Sequence, residues 1–202
     1  MSVYDRIGEH ELQLTATQNW YALYTRSRFE KIVAEELEDR GVAHFLPLVP
    51  KLRHWKDRKK MVKMPIFPGY VFVRIDLAER IKVLRARGAV RLVGFNGKPS
   101  PIPEEQIESV RRLLRYPDRV EVAPYFVAGD PVEITAGPLS GLSGRIIENR
   151  GKTRFLVGID IIQQAISIEV DAAWLKPAMT STDIPKRSTD GRFRTPREST
   201  SS

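Results

Sequence analysis

The sequence predicts two unlike folded parts, an α+β domain followed by a small all-β barrel. Three observations carry that prediction. Strand-like and helix-like runs alternate as far as residue 115, while beyond residue 125 only short β-rich runs remain, separated by Gly, Pro, Asn and Asp. Charge also breaks at that point: residues 19–115 carry 21 Lys/Arg against 11 Asp/Glu, or +10, and residues 116–178 carry 6 against 8, or −2. The chain as a whole has 202 residues, a net charge of +8 and 42% hydrophobic residues, enough to build a core.

The first domain opens with "NWYALYT", a strand with Trp20, Ala22 and Tyr24 on one side and Tyr21 and Leu23 on the other. "SRFEKIVAEELEDRG" follows as a helix. Ser27 and Glu30 have capping-box spacing, Phe29, Ile32, Val33 and Leu37 recur at helical intervals, and Gly41 supplies the stop. "VAHFLPLV" reads as a second strand, "KLRHWKDRKKMVK" as a basic arm and "YVFVRI" as a further strand. Asp76 and Glu79 can cap a short helix carrying Leu77, Ile81 and Leu84, and "AVRLVGF" is another strand. Pro103 then starts a helix with Glu104 and Glu105 in its first turn and Arg111, Arg112 and Arg115 in its last, an order that complements the helix dipole. This succession describes an antiparallel or mixed sheet with helices largely on one face, over residues 19–115.

Residues 116–125, with Pro117 and Pro124 among charged residues, read as a linker, and 126–178 as the barrel, built from "DPVEIT", "SGRIIEN", "TRFLVGIDI" and "AISIEV". Residues 1–18 lack periodicity, and 179–202 are rich in Ser, Thr, Pro and charge, so both ends are expected to be disordered.

Several functions are excluded by composition. The chain has no cysteine and three histidines, His10, His44 and His54, without supporting carboxylate spacing, so no metal site is expected. No nucleophile–base arrangement has recognisable spacing, so neither an enzyme nor a cofactor is indicated. "AGPLSGLSG" lacks the Lys-Ser/Thr pair of a phosphate loop and leads into a strand, which assigns Gly137, Gly141 and Gly144 to turns. No apolar run approaches the ~18 residues of a membrane span and no signal peptide opens the chain, so a cytoplasmic protein is expected.

Two features suggest binding. The arm from 51 to 63 has seven basic residues, Lys51, Arg53, Lys56, Arg58, Lys59, Lys60 and Lys63, against Asp57 alone, with Trp55 interleaved. Cations can neutralise phosphates while the indole stacks on a base. In "MPIFPGYVFV", if Val71, Val73 and Ile75 face the helices, Tyr70 and Phe72 face the other way with Tyr24 and Phe67. Such a face is either a docking surface or is covered by another element, and spacing leaves both readings open.

"WYALYTRSRFEKIVAEELEDRG", "FPGYVFVRI", "GFNGKPSPIPEEQIE" and "GDPVEITAGPLSGLSGRIIE", in this order, resemble the NusG family of transcription elongation factors over about residues 19–177. The first three are similar to its N-terminal domain and the last to its KOW motif, which forms an SH3-like barrel. The resemblance implies a monomeric factor that binds RNA polymerase and suppresses pausing or termination. Tyr24, Phe67, Pro68, Tyr70 and Phe72 would face polymerase. Arg26, Arg28 and Lys31 would lie near non-template DNA, with nascent RNA the other nucleic-acid candidate, and the arm, through Arg53, Trp55, Lys56, Arg58, Lys59 and Lys60, would approach DNA or the opposing polymerase lobe. The KOW loops, at Leu139, Leu142, Ile161 and Ile162, would recruit Rho or a ribosomal protein. Ile162 stands where general members commonly carry an aromatic. With "LYTRSR", "WKDRKK" and the Ser/Thr-rich tail, that points to a specialised paralogue of the RfaH or UpxY kind. The alternative is an RNA-binding or ribosome-associated KOW protein.

Overall fold

A computed structural model describes residues 18–55, 58–123, 125, 129–149 and 152–178. The expected disorder of the two ends therefore falls outside the described residues, apart from Gln18.

The N-terminal domain is built on a four-stranded antiparallel sheet in the order β2-β5-β1-β6, from β1 (Asn19–Thr25), β2 (His44–Phe45), β5 (Tyr70–Ile75) and β6 (Ala89–Leu92). Strand alternation sorts its apolar side chains into two layers. Tyr21, Leu23, Val71, Val73 and Ile75 pack under α1 (Glu30–Asp39) and α2 (Arg80–Leu84), meeting Val33, Leu37 and Val83. Trp20, Ala22 and Phe72 point the other way, into a cluster with Ile107, Val110 and Leu113 of α3 (Glu104–Leu113). Helices thus cover both faces, which corrects the expectation that they lie largely on one. The amphipathic pattern of α3 shows that it has a buried side but not which sheet face receives it.

Helix α1 ends as its sequence predicts. Gly41 takes φ +63° and the Val42 amide donates to Leu37 O at 2.9 Å, the six-to-one bond of a Schellman stop. Its start differs: Phe29 is the N-cap residue and no side chain caps it, so the Ser27–Glu30 box does not form. The expected second strand over 42–49 is also split. Only His44–Phe45 joins the sheet, and after Pro47 the chain enters a separate hairpin of β3 (Leu48–Trp55) and β4 (Arg58–Pro65), paired from Leu48↔Pro65 to Trp55↔Arg58. A proline has no amide to continue the ladder. The short hairpin of β7 (Gly94–Phe95) and β8 (Lys98–Pro99) leads to α3.

The C-terminal part is a six-stranded antiparallel sheet in the order β14-β10-β11-β12-β13-β9. Its strands are β9 (Val120–Ala123), β10 (Asp130–Ile134), β11 (Ser143–Asn149), β12 (Lys152–Ile159), β13 (Gln164–Glu169) and β14 (Leu175–Pro177). Residues 116–125 are therefore more than a linker. They hold a single 3-10 turn, Pro117–Arg119, and then β9, which pairs with β13 from Val120↔Ile168 to Ala123↔Ala165. Val120 and Ala123 are buried, and the buried Arg154 secures the strand, its guanidinium 3.2 Å from Glu121 and bonded to Ser167 Oγ at 3.0 Å.

The two parts share one apolar cluster. Ile107, Val110 and Leu113 of α3 and Leu139, Leu142, Phe155, Val157 and Ile162 of the C-terminal sheet all belong to it. Polar contacts bracket this junction. Gln106 Nε2 donates to Asp160 Oδ2 at 2.7 Å and its Oε1 accepts from the Asp160 amide at 3.2 Å, while Arg112 Nη2 donates to Ser140 O at 2.6 Å.

Candidate functional site

The site forms where β1 ends and β5 begins. Phe67-Pro68-Gly69-Tyr70 is a tight turn, closed by the Tyr70 amide on Phe67 O at 3.3 Å. Gly69 has φ +84°, which with proline before it marks a type II turn and requires glycine. The turn is tied to β1, because the Thr25 amide donates to Gly69 O at 2.8 Å. It is also tied to α1, because Glu30 Oε1 accepts from the Gly69 amide at 2.7 Å. Register then places Tyr24 opposite Tyr70, their ring centroids 5.6 Å apart. The Arg91 guanidinium lies 5.7 Å from the centre of the Tyr24 ring. Tyr24 is 39% exposed, Pro68 is exposed and Tyr70 half-buried, so these three form an accessible aromatic rim.

Phe67 and Phe72 are different. Both are 0% exposed, Phe72 stacked on Phe45 at 6.1 Å and meeting Phe67 edge-on at 6.0 Å. They are the floor beneath the rim and not a free surface, because the face they occupy is the one α3 covers. Arg111 of α3 helps close that face, its guanidinium 4.9 Å from the Trp20 ring and 5.0 Å from that of Phe45. Glu104 accepts from Trp20 Nε1 at 3.0 Å.

A cationic segment adjoins the rim. Arg26, Arg28 and Lys31 are exposed, and Arg28 adopts φ +66° as the chain turns into α1. The Arg26 amide donates to Gly88 O at 2.8 Å, which brings exposed Arg85 and Arg87 alongside. Glu36 holds this second segment, accepting from the Arg87 amide at 3.1 Å and from Arg40 Nη2 at 2.7 Å. The Arg87 amide is the main influence holding the Glu36 carboxyl below the usual range, with Arg40 adding to it. In the hairpin, Lys59 and Lys60 are exposed on β4. The side chains of Arg53, Trp55 and Arg58, and Lys56 altogether, lie outside the described residues.

The C-terminal loop residues are mostly covered. Leu139, Leu142 and Ile162 are 7%, 5% and 7% exposed within the cluster shared with α3, and Ile161 is half-buried against it. Ser140 and Asp160, in or beside the two loops, carry the polar contacts to Arg112 and Gln106. Asp160 Oδ1 also accepts from Tyr125 at 2.7 Å, and this bond pushes the Tyr125 hydroxyl pKa upward.

Sequence reasoning missed Glu30 and Arg91 as parts of the site. Their roles depend on which strands and turns become neighbours, and no local spacing shows that.

Residues 18–111 match the family model described as "Transcription termination factor nusG". The N-terminal domain is similar to that of NusG proteins. It is 27% identical to the transcription termination/antitermination protein NusG of Buchnera aphidicola subsp. Acyrthosiphon pisum, an alignment covering 80% of this chain and 96% of that protein. It is 29% identical to the NusG of Thermus thermophilus, covering 69% and 89%. Among solved structures, one titled "Domain interaction in Thermotoga maritima NusG" covers 80% of this chain and 98% of its own, at 23% identity and a TM-score of 0.46. The matched stretch 18–111 carries the rim, its floor and the cationic segment.

Proposed function

We propose that this chain is a non-enzymatic transcription factor whose N-terminal domain docks on RNA polymerase through Tyr24, Pro68 and Tyr70. Phe67 and Phe72 support that rim from beneath. Arg26, Arg28 and Lys31 contact the phosphates of DNA or RNA beside the docked domain, and the β3–β4 hairpin extends the basic surface. Preferential binding to the actively elongating conformation shifts polymerase away from paused or terminating states, since a ligand moves an equilibrium only by its differential affinity. The C-terminal sheet is a KOW-type barrel that recruits a second factor, a ribosomal protein or Rho, through Leu139–Leu142 and Ile161–Ile162. Because those residues lie against α3, recruitment requires the barrel to leave the helix. The departure at Ile162 supports a paralogue serving selected operons.

The observation that carries this reading is the accessible aromatic rim continuous with a cationic segment on one NusG-type domain. Co-purification of polymerase with the full chain and with Tyr24→Ala/Tyr70→Ala tests it. Loss of polymerase from a folded double variant is expected, and undiminished binding would contradict the docking surface. Salt-sensitive RNA binding that survives polymerase removal would favour an RNA-binding or ribosome-associated role.

A further inference from the structure

We propose that Glu30 is a positioning residue. It selects the type II form of the Phe67–Tyr70 turn and so joins the polymerase-facing rim to the cationic segment that precedes α1. This rests on the reading of the rim given above. Glu30 looks from sequence like half of a helix cap, yet its carboxylate does not cap α1. It is 6% exposed and accepts, within the interior, from the Gly69 amide 39 positions away at 2.7 Å.

That amide belongs to the central peptide of the turn. Types I and II differ mainly by a flip of this peptide, and φ +84° at Gly69 marks type II. Flipping it would withdraw the amide from Glu30 and turn the Pro68 carbonyl towards the carboxylate, setting oxygen against oxygen. Glu30 therefore reinforces the type II turn against its flipped alternative. An amide-to-carboxylate bond is stronger than a neutral one, and a carboxylate in the first turn of a helix sits in a favourable field. Among the described residues no Lys, Arg or His forms an ion pair with Glu30.

The same peptide segment is held from its other side. Gly69 O accepts from the Thr25 amide at 2.8 Å, and a side chain at Gly69 would come within 3.3 Å of the Tyr24 ring. Residues 24–30 thus grip Gly69 at its amide, its carbonyl and its face. Tyr70, the next residue, takes its direction from that grip. Arg28 precedes Glu30 by two positions in a left-handed conformation, which sets the cationic segment directly beside the residue that holds the turn.

The test uses the full chain with Glu30→Met, which keeps volume and helix propensity but removes the acceptor, and Glu30→Gln, which retains an acceptor. Amide exchange at Gly69 and affinity for polymerase are read for each, alone and with Tyr70→Ala. Glu30→Met is expected to speed Gly69 exchange and weaken polymerase binding about tenfold, Glu30→Gln to restore most of both, and Glu30→Met to add little once Tyr70 is alanine. Unchanged Gly69 exchange in Glu30→Met, or fully additive losses with Tyr70→Ala, would overturn the proposal. So would a freely exchanging Gly69 amide in the unaltered chain, a result that needs no variant to fold. If Tyr70→Ala does not weaken polymerase binding, the docking reading fails, and Gly69 exchange still decides whether Glu30 sets the turn.

Discussion

The two surfaces proposed to bind partners stand in opposite states. The N-terminal rim of Tyr24, Pro68 and Tyr70 is accessible, while Leu139, Leu142 and Ile162 of the C-terminal loops are buried in a cluster shared with α3. The difference lies in what each is built on. The rim sits on a turn fixed by its own domain, through Glu30 and Thr25, and needs nothing else to be presented. The loops belong to a sheet whose docking is held by an apolar contact and a few hydrogen bonds at Gln106 and Arg112. Under the proposed function, such a chain meets polymerase as it stands but must rearrange to offer the second surface.

The largest effect on this contrast should come from the shared floor. Phe72→Ala removes a fully buried ring between Phe45 and Phe67 and is expected to cost about 3–5 kcal/mol, lowering the thermal midpoint and weakening the rim with it. A variant melting like the parent would show that this layer does not hold the domain together.

Opening the junction should sharpen the contrast. Gln106→Ala/Arg112→Ala removes the polar contacts to Asp160 and Ser140 and is expected to shift docking by about 1–3 kcal/mol. Amides of the Leu139–Leu142 and Ile161–Gln164 segments should exchange faster while Gly69 is unaffected. Equal loosening of both regions would mean that rim and loops are one cooperative unit.

Neutralising Arg26, Arg28 and Lys31 together should act on nucleic acid alone. The log–log salt slope of binding is expected to fall by at most about 3, with polymerase affinity in the absence of nucleic acid nearly unchanged. The smallest effect belongs to Tyr125. Its pKa is raised by the bond to Asp160, so the contribution of that bond is complete below the ordinary tyrosine range and is lost as pH rises through the raised value. Tyr125→Phe should abolish this alkaline dependence of loop exchange and, at neutral pH, loosen the loop by the small amount that the bond contributes there.

Much of this architecture was legible in the sequence. The alternation of "YVFVRI" sets the two faces of β5, and Gly41 ends α1 where it should. What could not be read was chiefly relational. Ser27 and Glu30 have the spacing of a local cap, but the Gly69 amide, 39 residues on, takes the carboxylate. The amphipathic pattern of α3 marks a buried side without saying that a second sheet also packs on it. Strand β9 was hidden because "VEVA" is short and lies between two prolines, and only pairing with β13 gives it a place. The break at Pro47 did have a signal, since proline inside a strand pattern argues against a continuous ladder.

Hydrogen exchange of the full chain with and without bound RNA polymerase tests the central claim most directly. The account predicts new protection at Tyr24–Arg26 and Pro68–Tyr70, together with loss of protection at Leu139–Leu142 and Ile161–Gln164 wherever the C-terminal sheet leaves α3. Protection confined to the β3–β4 hairpin or to the C-terminal sheet, with the rim unchanged, would contradict it.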